Sequence, residues 1–133
     1  MIEYTVKVYG KNEYNLAGTH WYLNGKYHRV DGPAIEYANG DKYWFLNGNC
    51  HRVDGPAVEY ANGDKRWYLN DNRHRVDGPA SEYANGDKYW YLNGIKYSEA
   101  DFKLEVAKLN KQTLPCDGKE IVIDGKKYKL VAV

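Results

Sequence analysis

Three copies of one polar cluster are the residues of this sequence best suited to chemistry. His28, His51 and His74 are each followed directly by Arg and, two residues later, by Asp. Histidine near a carboxylate can bind a metal ion or transfer protons. Equal clusters in successive units of a sheet would lie about 9–10 Å apart, whereas zinc ligands must each reach the ion at about 2 Å. We therefore predict no metal and no cofactor, and interpret these residues as partners of turn backbone groups and of each other.

The remaining candidates for catalysis are weak. Cys50 has no unique histidine nearby and occupies a position that holds Tyr27, Arg73 or Lys96 in other parts of the chain. We expect it to be an incidental thiol, neither structural nor a nucleophile. The glycines stand singly in turn sequences and form no phosphate-binding loop. These observations predict a protein that is not an enzyme.

A repeat positions these clusters. His-Arg-Val-Asp-Gly-Pro-Ala begins at His28 and recurs twice at an interval of 23 residues. Each copy continues as Glu-Tyr-Ala-Asn-Gly-Asp-Lys and an aromatic run that closes with Leu-Asn, and a partial copy starts near residue 11. Such repeats indicate stacked supersecondary units, none of which buries its apolar face alone.

Each unit has the pattern of a β-hairpin. Ala34 to Tyr37 is a predicted strand, residues 38–41 are a turn, and Lys42 to Leu46 are a second strand. Asn39-Gly40 suits a two-residue type I′ turn, since both residues tolerate positive φ. The sequence therefore predicts an all-β repeat protein, an antiparallel meander of 23-residue hairpins.

With that turn, Tyr37 pairs with Lys42 and the two faces of the sheet follow, because paired residues share a face. The predicted packing face carries Ile35, Tyr37, Trp44, Leu46 and the equivalents Tyr60, Trp67, Leu69, Tyr83, Trp90 and Leu92. The other face carries glutamates and a slot whose residue changes between units, which we expect to be free of core packing. The predicted partner-binding residues on this face are His20, Tyr22, Tyr43, Phe45, Arg66, Tyr68, Tyr89 and Tyr91.

A different pattern follows the last unit. Ser98 can cap a helix whose apolar residues Phe102, Val106 and Leu109 are spaced four and three apart. Residues 119–123 and 126–131, joined by Asp124-Gly125, form a predicted final hairpin. We divide the chain into a repeat sheet, 1–97 (units about 11–33, 34–56, 57–79 and 80–97), and a helix and hairpin, 98–133, that cap the sheet edge.

Composition narrows the function classes. Lys and Arg number 19 against 18 Asp and Glu, so no strong field favours specific nucleic acid or an anionic membrane. The chain has 14 Tyr and 4 Trp beside 2 Phe, which suits half-buried sheets and contact surfaces. Two cysteines, no signal-peptide pattern and no apolar run long enough for a transmembrane segment predict a cytoplasmic protein.

The unit resembles the MORN repeat. The resemblance is carried by Tyr37-Ala38-Asn39-Gly40-Asp41-Lys42-Tyr43 with Asn47-Gly48 and His51, and it covers roughly residues 11 to 98. Arg-Val-Asp-Gly-Pro-Ala stands where MORN repeats continue with glycines, and similar Asp-Gly-Pro-Ala repeats are familiar from small tailed-phage proteins. The resemblance implies a hairpin fold and a role as an interaction, dimerisation or lipid-associated scaffold.

The sequence therefore predicts a non-catalytic protein-interaction module. The phage resemblance implies a host protein, such as a defence component, as the partner that it inhibits or recruits in the host cytoplasm, and self-association is compatible with the pattern. The alternative is a binder of a small ligand, glycan or lipid headgroup through the aromatic face. Trp-Tyr-Leu-Asn-Gly also resembles the cell-wall-binding repeats of choline-recognising proteins, which are exported.

Overall fold

Antiparallel strands and one helix make up the described part of the chain, residues 3–11, 17–113, 120–123 and 126–129 of the computed structural model. The chain divides into two compact units, Met1–Glu99 and Ala100–Val133. The strands are β1 Tyr4–Tyr9, β2 Gly18–Leu23, β3 Lys26–Tyr27, β4 Ile35–Tyr37, β5 Lys42–Tyr43, β6 Phe45–Leu46, β7 Asn49–Cys50, β8 Val58–Glu59, β9 Lys65–Arg66, β10 Tyr68–Leu69, β11 Asn72–Arg73, β12 Ser81–Glu82, β13 Lys88–Leu92, β14 Ile95–Tyr97, β15 Glu120–Ile123 and β16 Lys126–Lys129, and the helix is α1, Glu99–Thr113.

Ten of these strands form one sheet in the order β1-β2-β4-β5-β8-β9-β12-β13-β14, with β3 paired to β2. Strands that are neighbours along this path run antiparallel. The units 34–56 and 57–79 each contribute two strands to the path and a second, small hairpin, β6-β7 and β10-β11 respectively. The predicted all-β meander with a short C-terminal helix is confirmed.

The turn at Asn39-Gly40 differs from the prediction. Ile35 pairs with Tyr43 and Glu36 with Lys42, so three residues, Ala38 to Gly40, form the loop between Tyr37 and Asp41. Gly40 has φ +103° and donates its N–H to the carbonyl of Tyr37, whose own N–H donates to the carbonyl of Asp41. This geometry matches a three-residue hairpin loop with glycine at the left-handed position. The predicted two-residue turn, and with it the pairing of Tyr37 with Lys42, is wrong.

The two-residue turns lie instead in the second hairpin of each unit. Phe45 pairs with Cys50 and Leu46 with Asn49 across Asn47-Gly48, whose φ angles are +51° and +81°. Positive φ at both central residues is the signature of a type I′ turn. The equivalent turns have the same signature, at Asn24-Gly25, Asn70-Asp71 and Asn93-Gly94.

Trp44 interrupts the strand that the sequence predicts from Lys42 to Leu46. Its N–H donates to the carbonyl of Ala57 in the next unit, 2.8 Å away, while its carbonyl accepts the N–H of His51 at 3.0 Å. The chain therefore changes partner at Trp44, from the next unit to its own second hairpin.

An N-terminal strand precedes the repeats, and the repeat pattern does not predict it. β1 pairs with β2 along six residues, from Tyr4 opposite Leu23 to Tyr9 opposite Gly18. It is the first strand in the order of the sheet, and Val8 on it is exposed.

The C-terminal unit contains the predicted helix and hairpin. α1 follows Ser98 directly, and β15 pairs with β16 from Glu120 opposite Lys129 to Ile123 opposite Lys126. In the predicted apolar stripe Phe102 is buried but Leu109 is exposed. The hairpin turn, residues 124–125, lies outside the described residues, and the capping of the sheet stays a prediction. No helix in the described part of the chain is long and apolar enough to span a membrane.

Candidate functional site

One face of the sheet carries the predicted partner-binding residues, but its composition differs from the prediction. Neighbours in register share a face, and Tyr43 is opposite both Ile35 and Val58. A one-residue change of register exchanges faces, so Ile35 and Tyr37 leave the predicted packing face and lie beside Tyr43. Across the strands the register aligns His20, Ile35, Tyr43, Val58, Arg66, Ser81 and Tyr89.

Aromatic rings on this face meet edge to face. The ring of Tyr43 lies 5.9 Å from that of Tyr37 at 90° and 6.0 Å from that of Tyr60 at 86°. Arg66 takes the place of a ring in the next unit, with its guanidinium 5.3 Å from Tyr60 and 5.9 Å from Tyr83. We call these residues the first row. Its members are Tyr9, His20, Tyr37, Tyr43, Tyr60, Arg66, Tyr83 and Tyr89.

The changing slot is not free of core packing. Tyr43 packs against the buried cluster of Cys50, Ala57 and Val58, and burial raises the pKa of its hydroxyl. The residues opposite the slots, Ile35, Val58 and Ser81, are buried, so the slot side chains cover them. The expectation that this slot faces only solvent or a partner is wrong, because a single sheet must bury its apolar residues under its own large side chains.

A second row runs beside the first. It contains the predicted Tyr22, Phe45, Tyr68 and Tyr91 and, in register with them, residues that were not predicted: Tyr27, Cys50, Arg73 and Lys96. Arg73 joins two units, since its Nε donates to the hydroxyl of Tyr68 at 3.1 Å and its Nη1 to that of Tyr91 at 3.2 Å. The signal for these residues was present in the sequence, as the position that varies from Tyr27 to Lys96. We call the two rows together the aromatic face.

Cys50 is a core residue of the aromatic face, which corrects its interpretation as an incidental thiol. Burial, together with the charge of Asp71, raises the pKa of Cys50 to about 12. Its backbone N–H donates to the Asp71 carboxylate at 2.6 Å. The thiol therefore stays protonated at neutral pH, where it packs as a small apolar side chain.

Cations are concentrated at the C-terminal end of the aromatic face, while one lysine, Lys7, lies at the N-terminal end with its ammonium 5.1 Å from the Tyr22 ring. At the N-terminal end three aromatic rings form a row. The ring centroid of Tyr27 lies 4.8 Å from that of Tyr22 and 5.3 Å from that of Phe45. At the C-terminal end the same rows hold cations among tyrosines, and the Lys96 ammonium lies 4.2 Å from the Tyr89 ring. The cations of this end are Arg66, Arg73 and Lys96.

The opposite face carries tryptophans covered by arginines, and we call it the tryptophan face. The guanidinium of Arg52 lies 4.0 Å from the Trp44 ring, and its Nε donates to Asp54 at 3.0 Å. Its Nη1 donates to the carbonyl of Pro56 and to Glu59. The preceding and following units repeat the stack at 4.1 and 3.9 Å, between Arg29 and Trp21 and between Arg75 and Trp67.

Each repeated histidine links its unit to the next. The Nδ1 of His28, His51 and His74 accepts the backbone N–H of an asparagine 19 residues later, at 2.9, 3.0 and 3.0 Å. These acceptors must be unprotonated, and burial lowers the pKa of His74. Their interpretation as partners of turn backbone groups is confirmed.

Among the described residues no three His, Cys, Asp or Glu side chains are arranged to hold a metal ion. No protein-family model matches the chain, and no curated protein and no solved structure is significantly similar to it.

Proposed function

We propose that this chain is a non-catalytic scaffold that binds a protein partner through the aromatic face. The observation that carries this proposal is the cationic end of that face, where Arg66, Arg73 and Lys96 are held among tyrosine rings. Tyrosine and arginine are the residue types that contribute most often to interaction hot spots. The partner that complements this surface presents acidic side chains together with apolar or aromatic ones.

Preorganisation supports the same function. Arg73 is fixed by two tyrosine hydroxyls and Arg66 by two rings, so neither side chain is free before a partner arrives. Immobilising a long side chain on binding costs about 0.5–1.5 kcal/mol, and here folding has already restricted it. Such a surface favours binding over catalysis, which needs a reactive group in one asymmetric site.

The extent of the face favours a macromolecule. The first row crosses eight neighbouring strands, from β1 to β13. These strands have seven spacings between them, so the row is about 30 Å long. A small ligand is the second candidate, favoured by a pocket of about 360 Å³ that Tyr89, Tyr91 and Lys96 line at the cationic end. From the resemblance to tailed-phage repeats we propose a bacterial host protein, such as a defence component, as the partner.

The test is affinity capture from bacterial lysate with charge-changing variants. Alanine at Tyr43 would remove a ring that packs on the core, so Lys96→Glu and Arg66→Met are better probes. Each substitution should leave the fold intact and reduce capture of the partner about tenfold or more, since each removes a cation that would pair with acidic groups of the partner. Binding of the purified partner is then measured by titration.

Lys26→Glu is the matched control. Lys26 is an exposed lysine in register with Leu23, on the face opposite the aromatic rows, and its charge reversal should leave capture unchanged. Equal capture by wild type, Lys96→Glu and Arg66→Met would overturn the proposal. A small molecule that binds the wild type and is lost in Lys96→Glu, without any captured protein, would favour the second candidate.

A further inference from the structure

Two equivalent grooves lie on the tryptophan face, between successive Arg-Val-Asp-Gly-Pro loops. Trp44 and Leu46 line the first groove, between the loops 29–33 and 51–54, and it encloses about 550 Å³. Trp67 and Leu69 line the second, which encloses about 590 Å³. The segment Arg52 to Asp54 borders both grooves, so they are neighbours in one row.

Exposed valines stand on the walls of these grooves. Val30, Val53 and Val76 have 75%, 83% and 50% of their surface exposed, so packing within the chain does not require them. One buried position of the repeat differs between the three units, where it holds Ile35, Val58 and Ser81. The exposed position holds valine in all three. Aliphatic groups at one exposed position in three units form a row of apolar surface along the grooves.

The spacing of the grooves selects the conformation of what they bind. Each unit adds two strands, so equivalent points on neighbouring units are about 9–10 Å apart. A polyproline II helix presents the same face every three residues, about 9.3 Å. A β-strand repeats its face every two residues, about 6.7 Å, and an α-helix needs two turns, about 10.8 Å. Of these three repeat distances, only that of polyproline II falls within the 9–10 Å separation of neighbouring units, so only this conformation presents the same face to successive grooves.

Charge at the groove walls selects the composition. Each loop arginine is recessed, because it is ion-paired to two carboxylates, as Arg52 is to Asp54 and Glu59, and only 21–23% of the arginine side chains is exposed. The aspartates project outward, with 81%, 85% and 78% of the side chains of Asp31, Asp54 and Asp77 exposed. No lysine is among the residues found to line these two grooves in the described part of the chain.

We propose that this row of grooves binds a proline-rich segment in the polyproline II conformation, with a basic residue in every triplet. Its proline rings pack on Trp44, Trp67 and the exposed valines, and its basic side chains pair with the outward aspartates. Aromatic-lined grooves recognise this helix elsewhere because it is ordered before binding. The proposal concerns the face opposite the aromatic rows and is independent of the function proposed above.

The test is a titration with labelled nine-residue peptides. The probe is three Pro-Pro-Arg triplets, and the matched peptides are three Gly-Gly-Arg triplets, with equal charge, and three Pro-Pro-Glu triplets, with equal stiffness. Fluorescence anisotropy should show the first binding about tenfold or more tighter than either of the others. Equal binding of both arginine peptides would reduce the interaction to charge alone and overturn the proposal, as would no binding of the first.

Variants locate the site. Val53→Lys places a cation on the wall shared by both grooves and should weaken binding of the Pro-Pro-Arg probe about tenfold. Val53 is exposed, so the variant should fold, and circular dichroism checks this. Val8→Lys, at a 78% exposed valine of β1, is the matched control and should bind normally. Unchanged binding by folded Val53→Lys would also overturn the proposal. The Lys96→Glu variant should bind this probe normally, which separates the two faces.

Discussion

Substitution of Trp67 by alanine tests whether the tryptophan face stabilises the sheet. The Trp67 ring is half-buried under the guanidinium of Arg75, 3.9 Å away. It buries on the order of 150 Å², at the low end for tryptophan. At about 25 cal/mol per Å² this corresponds to about 4 kcal/mol, and residual burial in the unfolded chain reduces it to about 3 kcal/mol. The lost cation–π contact adds about 0.5–1 kcal/mol.

Trp67→Ala should therefore lower the free energy of unfolding by about 3–4 kcal/mol. Urea unfolding followed by far-UV circular dichroism measures this, because that signal comes mainly from the backbone, whereas tryptophan fluorescence would be changed directly by the substitution. Tyr4→Ala, at an exposed aromatic residue of β1, should cost only about 1 kcal/mol. A loss below about 1 kcal/mol for Trp67→Ala would refute the argument that the arginine-covered ring contributes to stability.

Three further predictions follow from single contacts. Ser81→Val should raise the free energy of unfolding by about 1 kcal/mol in urea titration, because the buried Ser81 hydroxyl has no hydrogen-bond partner among the described residues, and a decrease would contradict this. In a Cys116→Ser background, Cys50 should react with a thiol reagent far more slowly in the native than in the unfolded protein, since burial raises its pKa to about 12. The pKa of His74 is lowered by burial, so the unfolded chain takes up this proton first. Its contribution to stability is present above pH 6.5 and is lost as the pH falls. The urea midpoint should therefore decrease between about pH 7 and 5, and it should decrease less in His74→Gln.

The repeat and the hairpins were predictable because they depend on local patterns. The register was not, since Ala38-Asn39-Gly40-Asp41 fits both a two-residue turn and a three-residue turn with glycine at the left-handed position. The contact that accompanies the observed turn is tertiary: the Asp41 carboxylate accepts the N–H of Ala61 in the next unit, at 2.7 Å. The residues of the turn alone do not predict a contact with a residue twenty positions away.

The same uncertainty explains what was missed in the site. The eight predicted residues do share one face, because they follow each other at two-residue intervals along their strands. Which residues of the neighbouring strands share that face depends on the register. The predicted register therefore placed Tyr37 and Tyr60 on the opposite face. Arg73 and Lys96 belong to the second hairpin of their units, where the sequence pattern had indicated only a connection.

The histidine contacts give the repeat array a direction. His51 accepts a backbone N–H from the second-hairpin turn of the next unit, at Asn70, and His74 does the same with Asn93. One interval after His74 stands Tyr97, where this series of histidines ends. A unit is therefore complete only after the chain of the next unit has been made. During synthesis on the ribosome, where domains begin to fold from the N-terminus, the sheet would grow in steps of 23 residues, each step closing the hydrogen bonds that the preceding unit had left open.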